Sequence, residues 1–439
     1  MSSYNNGDLH TEYIDPQIYV PNGRASFDLD ASKLAYLPNM RLLNVGVTSS
    51  AAGAYNRLVG SMSVIKNIRL LDGRTELSAL RNPVPYLGFK AQQRTNADNK
   101  SSASWLKNAT TGLEISEIND KLIHLYTNAA TDVSQPGAAT TPTNVGYLDL
   151  REVFPILNAL PCLPTSVFPN LRIEVEFQTG LSDMVTLNTA LVNTSVRPIL
   201  AVDAVENPEL VAALSRALKD QGARWQEIEH DRFNIPAPAA NTAGVVQTVS
   251  QQSMGFVGKR VERLLMVKTL QNGSQAAPAG TVNTGVQMGY GNAGSQAFVA
   301  QQTQVRLNGK NVFPGFGGIT RPNERLGLVS DEYGACSAYP GSVFYNWSNA
   351  NSFIDLGGAS QQNSGKALAG QLSYDCVRIG ARVADLQIQI SRSADGAAGS
   401  ATTAARSTNL PVNVNLYAEI DKSLVMGRDG SSYRIVYSA

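Results

Sequence analysis

Cysteine is nearly absent from this 439-residue chain: there are three, Cys162, Cys336 and Cys376, far apart and odd in number. No Cys-x-x-Cys pair or Cys/His cluster accompanies them, so the spacing supports neither a zinc site nor a disulfide framework. Three isolated thiols are read as buried and reduced, which favours assembly in a reducing compartment. Charge is scarce too. Asp, Glu, Lys and Arg make up 16% of the residues, against roughly 25% in an ordinary soluble protein. The 36 basic and 35 acidic side chains leave a net charge of +1, and no basic run supplies the electrostatic footprint that phosphate binding needs. The first Lys or Arg is Arg24, after Asp8, Glu12 and Asp15, the reverse of a nucleic-acid-gripping arm. Direct genome binding is therefore not expected. No apolar run approaches the ~18 residues of a membrane span, and the N-terminus lacks the basic-then-apolar pattern of a signal peptide. The expectation is a soluble protein that is not classically secreted.

What fills the gap is Asn, Ser, Thr, Gln, Ala and Gly. A polar but weakly charged surface suits a protein covered by copies of itself, since like charges at such contacts repel. All-β sandwiches run to roughly 200–250 residues each, so two large β domains fit the length. Strand signals dominate. Leu171-Arg172-Ile173-Glu174-Val175-Glu176-Phe177 alternates apolar and charged residues, the pattern of a half-buried antiparallel strand. Val412–Ile420 repeats it. Val377, Ile379, Ala381 and Val383 keep one phase, and Leu386, Ile388 and Ile390 take the other. That one-residue slip near Ala384-Asp385 predicts a β-bulge or a tight bend.

Only one segment reads as a helix. Asn207 is placed to cap it, Pro208 stands at its first position, Leu210, Val211, Leu214 and Leu218 make an apolar face, and Gly222 ends it. Lying near the midpoint, it marks a boundary. The expected division is an N-terminal arm over 1–24, a first β domain over 25–206, a connector helix and linker over 207–230 and a second β domain over 231–439. Each half also carries an apolar–Arg–Leu strand running into a turn dipeptide, Asp72-Gly73 in one and Asn308-Gly309 in the other. Both dipeptides are hairpin signals, and the pair hints at an internal duplication. Thr127–Gly146, Ile235–Gln252, Gln271–Thr303, Ser348–Lys366 and Ser391–Asn409 show no periodicity and read as long interstrand loops.

The chemistry-bearing patterns are decoys. Gly289-Tyr290-Gly291-Asn292-Ala293-Gly294 matches a dinucleotide-binding glycine motif but lies in a low-complexity stretch without the flanking strand and helix. Ser63-Val64-Ile65-Lys66 matches the Ser-x-x-Lys of penicillin-recognising enzymes but runs into a hairpin, and reads as a strand edge. His10, His124 and His230 are isolated. His230, among Glu227, Glu229 and Asp231, reads as part of a solvated charged segment rather than an acid–base or metal cluster. Trp105, Trp225 and Trp347 are too dispersed for a stacking platform and suit core packing. No catalytic, cofactor-binding or metal-ligating residue is expected, and no cofactor.

Two segments carry a family resemblance. Phe154-Pro155-Ile156-Leu157 through Leu160-Pro161-Cys162-Leu163-Pro164 to Leu171–Phe177 is a Pro/Leu-rich loop feeding an apolar–charged strand that ends Glu-Phe. Asn415-Leu416-Tyr417-Ala418-Glu419 through Leu424-Val425-Met426-Gly427 to Tyr433–Ser438 is a Tyr-Ala strand followed by a glycine and a short aromatic-containing terminal strand. With the β-rich halves and the midpoint helix, these resemble the double jelly-roll major capsid proteins of tailless DNA viruses, the lineage of adenoviruses, tailless membrane-containing phages, virophages and polinton-like viruses. The resemblance implies an all-β fold of two consecutive eight-stranded antiparallel jelly rolls joined by a short helix. It implies a homotrimer tiling as a pseudo-hexagonal capsomer of an icosahedral shell. The implied partners are neighbouring capsomers and penton and minor capsid proteins, and the implied place is the virion, assembled inside the host cell. Met1–Gly23 would be an arm on an inner or neighbouring face. A penton or minor capsid protein, or a lectin-like two-domain β-sandwich, are the alternatives; contact with an inner membrane is open.

Overall fold

The structure, a computed structural model, describes residues 9–49, 64–93, 146–178, 193–236, 246–270, 302–313, 318, 373–393, 412–427 and 432–437. The first half folds around two antiparallel sheets. One is built from β1 (Leu9–Ile14), β4 (Ala35–Tyr36), β5 (Arg41–Val45), β9 (Gly146–Asp149), β10 (Leu163–Pro164) and β13 (Ile199–Val205). The other contains β2 (Ile18–Val20), β3 (Arg24–Asp28), β7 (Ile65–Asp72), β8 (Thr75–Arg81) and β11 (Leu171–Phe177). A small extra pair joins β6 (Val47–Ser49) to β12 (Asn193–Ser195). Taking β1, β3, β5, β7, β8, β9, β11 and β13 as strands one to eight, the sheets run 1-8-3-6 and 2-7-4-5. First and last strands lie side by side, the double Greek key of a jelly roll.

The second half repeats the order. Its strands are β14 (Ala223–Ile235), β15 (Val246–Gln252), β16 (Arg260–Leu270), β17 (Gln302–Leu307), β18 (Lys310–Asn311), β19 (Ser373–Arg382), β20 (Leu386–Ser393) and β21 (Val412–Met426). They pair as β14-β21-β16-β19 and β15-β20-β17-β18, again 1-8-3-6 and 2-7-4-5. A last strand, β22 (Tyr433–Tyr437), pairs with the end of β21. The chain is thus two jelly rolls in tandem. The Asp72 and Asn308 hairpins occupy the same place in both, between the fourth and fifth strands.

The alternation read from the sequence is the packing. Leu171, Ile173, Val175 and Phe177 are all buried, while Arg172, Glu174 and Glu176 face out. Each buried side chain of this size contributes roughly 1.5–3 kcal/mol. The phase slip near Ala384-Asp385 is a tight bend. There the chain leaves β19 in one sheet and enters β20 in the other, so both apolar sets reach one core. Asn308 and Gly309, at φ 50° and 79°, form the turn with two positive φ angles. The Asn308 side chain also accepts from the Ala384 and Asp385 N–H groups (2.8 and 3.0 Å), tying this turn to the bend. In the first jelly roll the turn is displaced by one residue. Asp72 pairs with Thr75, and Gly73-Arg74 is the loop, with positive φ at Gly73 alone.

Among the described residues three short α-helices punctuate the strands: α1 (Pro83–Gln93), the single turn α2 (Ile156–Ala159) and the connector α3 (Pro208–Gln221). Asn207 caps α3 by accepting from the N–H groups of Glu209 and Leu210. Gly222 ends it at φ 64° and ψ −159°, a region essentially confined to glycine. A Cβ there would lie 2.5 Å from the Leu424 carbonyl oxygen. Gly222→Ala is therefore expected to cost about 2–3 kcal/mol from backbone strain and overpacking, read as a lower urea midpoint.

Several expectations are corrected. Leu9–Ile14 and Ile18–Val20, in the stretch expected as an arm, are sheet strands: β1 pairs with all of β13 from Leu200 to Val205, and β2 with β3. The second jelly roll's first strand begins at Ala223, inside the expected linker. Ile235–Gln252 is not one loop, because Val246–Gln252 is a strand paired with β20. Its outward Thr and Ser residues conceal the alternation.

Candidate functional site

The second jelly roll does not stand apart from the first. Its β16 contains Leu264-Leu265-Met266-Val267, buried throughout. Leu264 and Met266 face its own core, whereas Leu265 and Val267 join Cys376 and Tyr417 in the core cluster of the first jelly roll. A sheet covered on both faces needs such a continuous apolar run. The cover comes from β8, α1 and α2 of the first jelly roll.

A polar network crosses this seam. Glu227, 1% exposed, accepts from the Ser78 hydroxyl (2.8 Å), the Ala79 N–H (3.2 Å) and the Trp225 indole N–H (2.7 Å). Burial pushes its carboxyl above the usual range, against the opposing pull of the Lys422 ammonium and the three donors. Nearby, the Tyr417 hydroxyl donates to the Asn82 carbonyl (2.6 Å) and the Asn82 amide donates to Asn415 Oδ1 (2.9 Å). The His230 ring sits 5.0 Å from that of Tyr417, with Nε2 3.2 Å from Asn415 Oδ1. Asn82 holds φ 49° at the end of β8, which turns its carbonyl toward Tyr417.

His230 and Glu227 are thus seam residues, which corrects the reading of a solvated charged segment. Alternation accounts for both on this 13-residue strand: Trp225 and Glu227 share one phase with Phe233 and Ile235, and His230 shares the other with Ile228, which packs in the core cluster of the first jelly roll. Burial depresses the His230 pKa to about 4, so the ring is neutral near pH 7. Below its ordinary pKa of 6.5 the unfolded chain takes up a proton that the folded one refuses. Stability on this account falls as pH drops from 6.5 through 4, by about 3 kcal/mol. Between pH 7 and pH 4 the wild type is expected to lose about that much more than His230→Phe in urea unfolding.

Ser78 and Glu227 are the nearest thing to a nucleophile beside a base, but both are 1% exposed and no substrate reaches them. Among the described residues no three His, Cys, Asp or Glu side chains gather to hold a metal. A cleft of about 400 Å³ opens at the seam between Tyr86, Lys90, Arg151, Gln226, Ile228 and Glu419. Two of its ionic groups already pair elsewhere, Arg151 with Asp149 (2.5 Å) and Glu419 with Arg263 (2.6 Å).

Of the other residues singled out in the sequence, Lys66 lies on β7 and pairs with Glu176 at 2.5 Å, and His10 lies 2.7 Å from Glu12. Cys162 is fully buried, its thiol pushed up to about 11 by burial, and Cys376 is also buried. Trp225 packs into the core as expected. Gly289–Gly294, Ser63, His124, Cys336, Trp105 and Trp347 lie outside the described residues.

The two outer sheets differ chemically. The β3-β11-β7-β8 face carries ion pairs, Arg69 with Glu174 (2.5 Å), Arg172 with Glu174 (3.1 Å) and Arg81 with Glu76 (3.5 Å). The equivalent β15-β20 face presents Thr248, Ser250, Gln252, Gln387 and Gln389, with Thr248 bonded to Ser391 at 2.9 Å.

No protein-family model matches the chain, and no curated protein does. Among solved structures it is similar over its full length to a chain of the PBCV-1 virus capsid, at 11% identity, covering 99% of that chain with a TM-score of 0.50. The major capsid protein of mavirus gives a TM-score of 0.51 at 11% identity, with 100% of this chain and 92% of that chain covered. A chain of the Sputnik virophage gives 0.50 at 10% identity, with 100% and 90% covered. At such identities what is shared is the double jelly-roll fold.

Proposed function

We propose that this chain is the major capsid protein of an icosahedral DNA virus, a structural subunit of the virion shell rather than an enzyme. The observation that carries this reading is the repeated 1-8-3-6 and 2-7-4-5 topology, with one repeat docked on the other through a sheet buried on both faces. The full-length likeness to capsid structures supports it. Pentons usually need one jelly roll per chain, so the second repeat favours the major protein.

In this reading α3 divides the chain into its two jelly rolls. Three copies close into a homotrimer whose six barrels form a pseudo-hexagonal tile. Closure suits the physics, since a ring satisfies every head-to-tail contact without runaway growth and jelly-roll edges need cover. Neighbouring capsomers, penton and minor capsid proteins are the partners it calls for, and nucleic acid is not among them.

Negative-stain imaging and sedimentation velocity of the purified full-length protein test this. Trimers with a six-lobed, pseudo-hexagonal outline are expected. A monomer at micromolar concentration, with no larger species, would overturn the reading.

A further inference from the structure

Four arginines, scattered along the sequence, meet on one patch of the second jelly roll. Where β16 pairs with β19, Arg260 stands opposite Arg382 and Arg263 opposite Arg378. Val261, Leu264, Val377 and Val383 beside them belong to the second jelly roll's own core, so all four arginines share the outer face of the sheet. Directly opposite residues hold their Cβ atoms about 4.5–5.5 Å apart, a spacing at which like charges destabilise a ladder. Two such pairs in neighbouring rows disfavour the sheet unless something negative joins them. The carboxylates at hand are already engaged: Glu262 and Asp421 with Arg260 (2.7 and 3.8 Å) and Glu419 with Arg263 (2.6 Å). Among the described residues no carboxylate pairs with Arg378 or Arg382. Both are exposed, on the edge strand of the sheet. The next row on the same face, Leu265 opposite Cys376, is at most 1% exposed and packs with the first jelly roll.

We propose that this block binds a compact polyphosphate anion, a chain of two or three phosphoryl groups, free or as an ester. The site does not depend on how copies of the chain assemble. A guanidinium presents a planar fork of N–H donors that matches phosphate oxygens bidentately. Arg378 and Arg382 supply the open forks, one in each row. Arg260 and Arg263, already braced by carboxylates, add charge behind them. An anion lying across the rows turns two repulsive pairs into four attractive contacts. The strand pairing presets the spacing, because the register skips only Glu262 on β16 and Ile379-Gly380 on β19 between the rows. Gly380 takes φ 56° in that irregularity. Two rows make a spot rather than a track, which suits a small anion and not the continuous backbone of a nucleic acid. Guanidinium groups read the phosphate oxygens and not whatever is esterified to them.

Isothermal titration of the full-length protein with inorganic triphosphate and with ATP, both without divalent metal, tests the site. The two are expected to bind with similar affinity, more tightly than orthophosphate and more weakly as sodium chloride is raised. The double variant Arg378→Gln/Arg382→Gln should bind triphosphate roughly 30-fold or more weakly. Arg69→Gln, on the outer face of the first jelly roll, should bind it as wild type does. Without anion the double variant is expected to unfold in urea at or above the wild-type midpoint, since the opposed charges are relieved. No binding of triphosphate by the wild type up to ~1 mM, binding of ATP alone, or unchanged binding by the double variant would overturn the site. A hexaglutamate peptide binding as tightly as triphosphate would overturn the phosphate assignment. A double variant with a lower urea midpoint would show that these arginines serve the fold, and would overturn the proposal too.

Discussion

Ending the chain at Gly427 is expected to split one cooperative unfolding transition into two, with the earlier one lowered by about 5 kcal/mol in apparent stability. The removed strand β22 fastens the jelly rolls to one another. It pairs with Lys422–Met426 of β21, along the edge that β16 leaves once Val261 has paired with Ile420. Toward the first jelly roll, the Tyr433 ring packs 5.0 Å from Phe168 and its hydroxyl donates to Asp72 at 2.8 Å. Ile435 and Met426 pack on the same core. Toward the second, the Tyr437 ring lies 5.3 Å from the Lys259 ammonium and 5.1 Å from that of Lys422, and its hydroxyl reaches Glu229 at 3.2 Å.

The cost follows from these parts. An aromatic side chain packed this way and truncated to alanine loses about 3 kcal/mol. Loss of the strand ladder and of Ile435 adds more, and Phe168 and Leu424 meet water. Tyr433→Ala alone should therefore give about half the effect, and Tyr433→Phe about 1 kcal/mol, the hydroxyl's share. Differential scanning calorimetry of the full chain and the truncation separates the cases. A truncated protein melting in one transition within about 2 °C of the full chain would show that β22 fastens nothing, since ~1 kcal/mol shifts a domain of this size by roughly 2–4 °C.

Much of this was readable in the residues because it is local. The alternation of Leu171–Phe177, the cap at Asn207 and the turn at Asn308-Gly309 each depend on side chains within a few positions. The Asp72-Gly73 hairpin was readable as a turn but not in its register. Asp72 is there for its carboxylate, which accepts from the Asn170 N–H at 2.8 Å and from Tyr433, a residue at the far end of the chain. The run Leu264–Val267 carried a sign that its sheet is covered on both faces, but not of what covers it. Val246–Gln252 reads as a loop because, among its described side chains, Val249 alone is an apolar residue packed on the core. Glu227 showed the inward phase of β14, yet its partners Ser78 and Ala79 come from the other jelly roll. A charged residue reads as solvated until its partners are placed.

Replacing Glu227 by alanine is expected to destabilise the protein by about 4 kcal/mol, because it strands three donors at once. The Ser78 hydroxyl, the Ala79 N–H and the Trp225 indole N–H all point into the place the carboxylate occupies, and a buried donor without an acceptor costs about 1–3 kcal/mol. Lys422, 9% exposed, also loses the nearby carboxylate but keeps Glu229 at 3.4 Å. Glu227→Gln keeps the shape and one acceptor, so its deficit is expected to be about 1–2 kcal/mol. That deficit depends on pH in a direction burial dictates. With the folded pKa raised, the carboxyl's contribution is fully present below its ordinary pKa of 4.5 and is lost as pH rises through the folded value. The wild type therefore loses stability relative to Glu227→Gln as pH rises, the reverse of the His230 effect. Urea unfolding of the wild type and both variants at pH 5 and pH 8, followed by tryptophan emission and by circular dichroism, reads the two effects separately. A Glu227→Ala protein within 1 kcal/mol of wild type at both pH values would mean that apolar contacts alone hold the seam, and that the network only fills it.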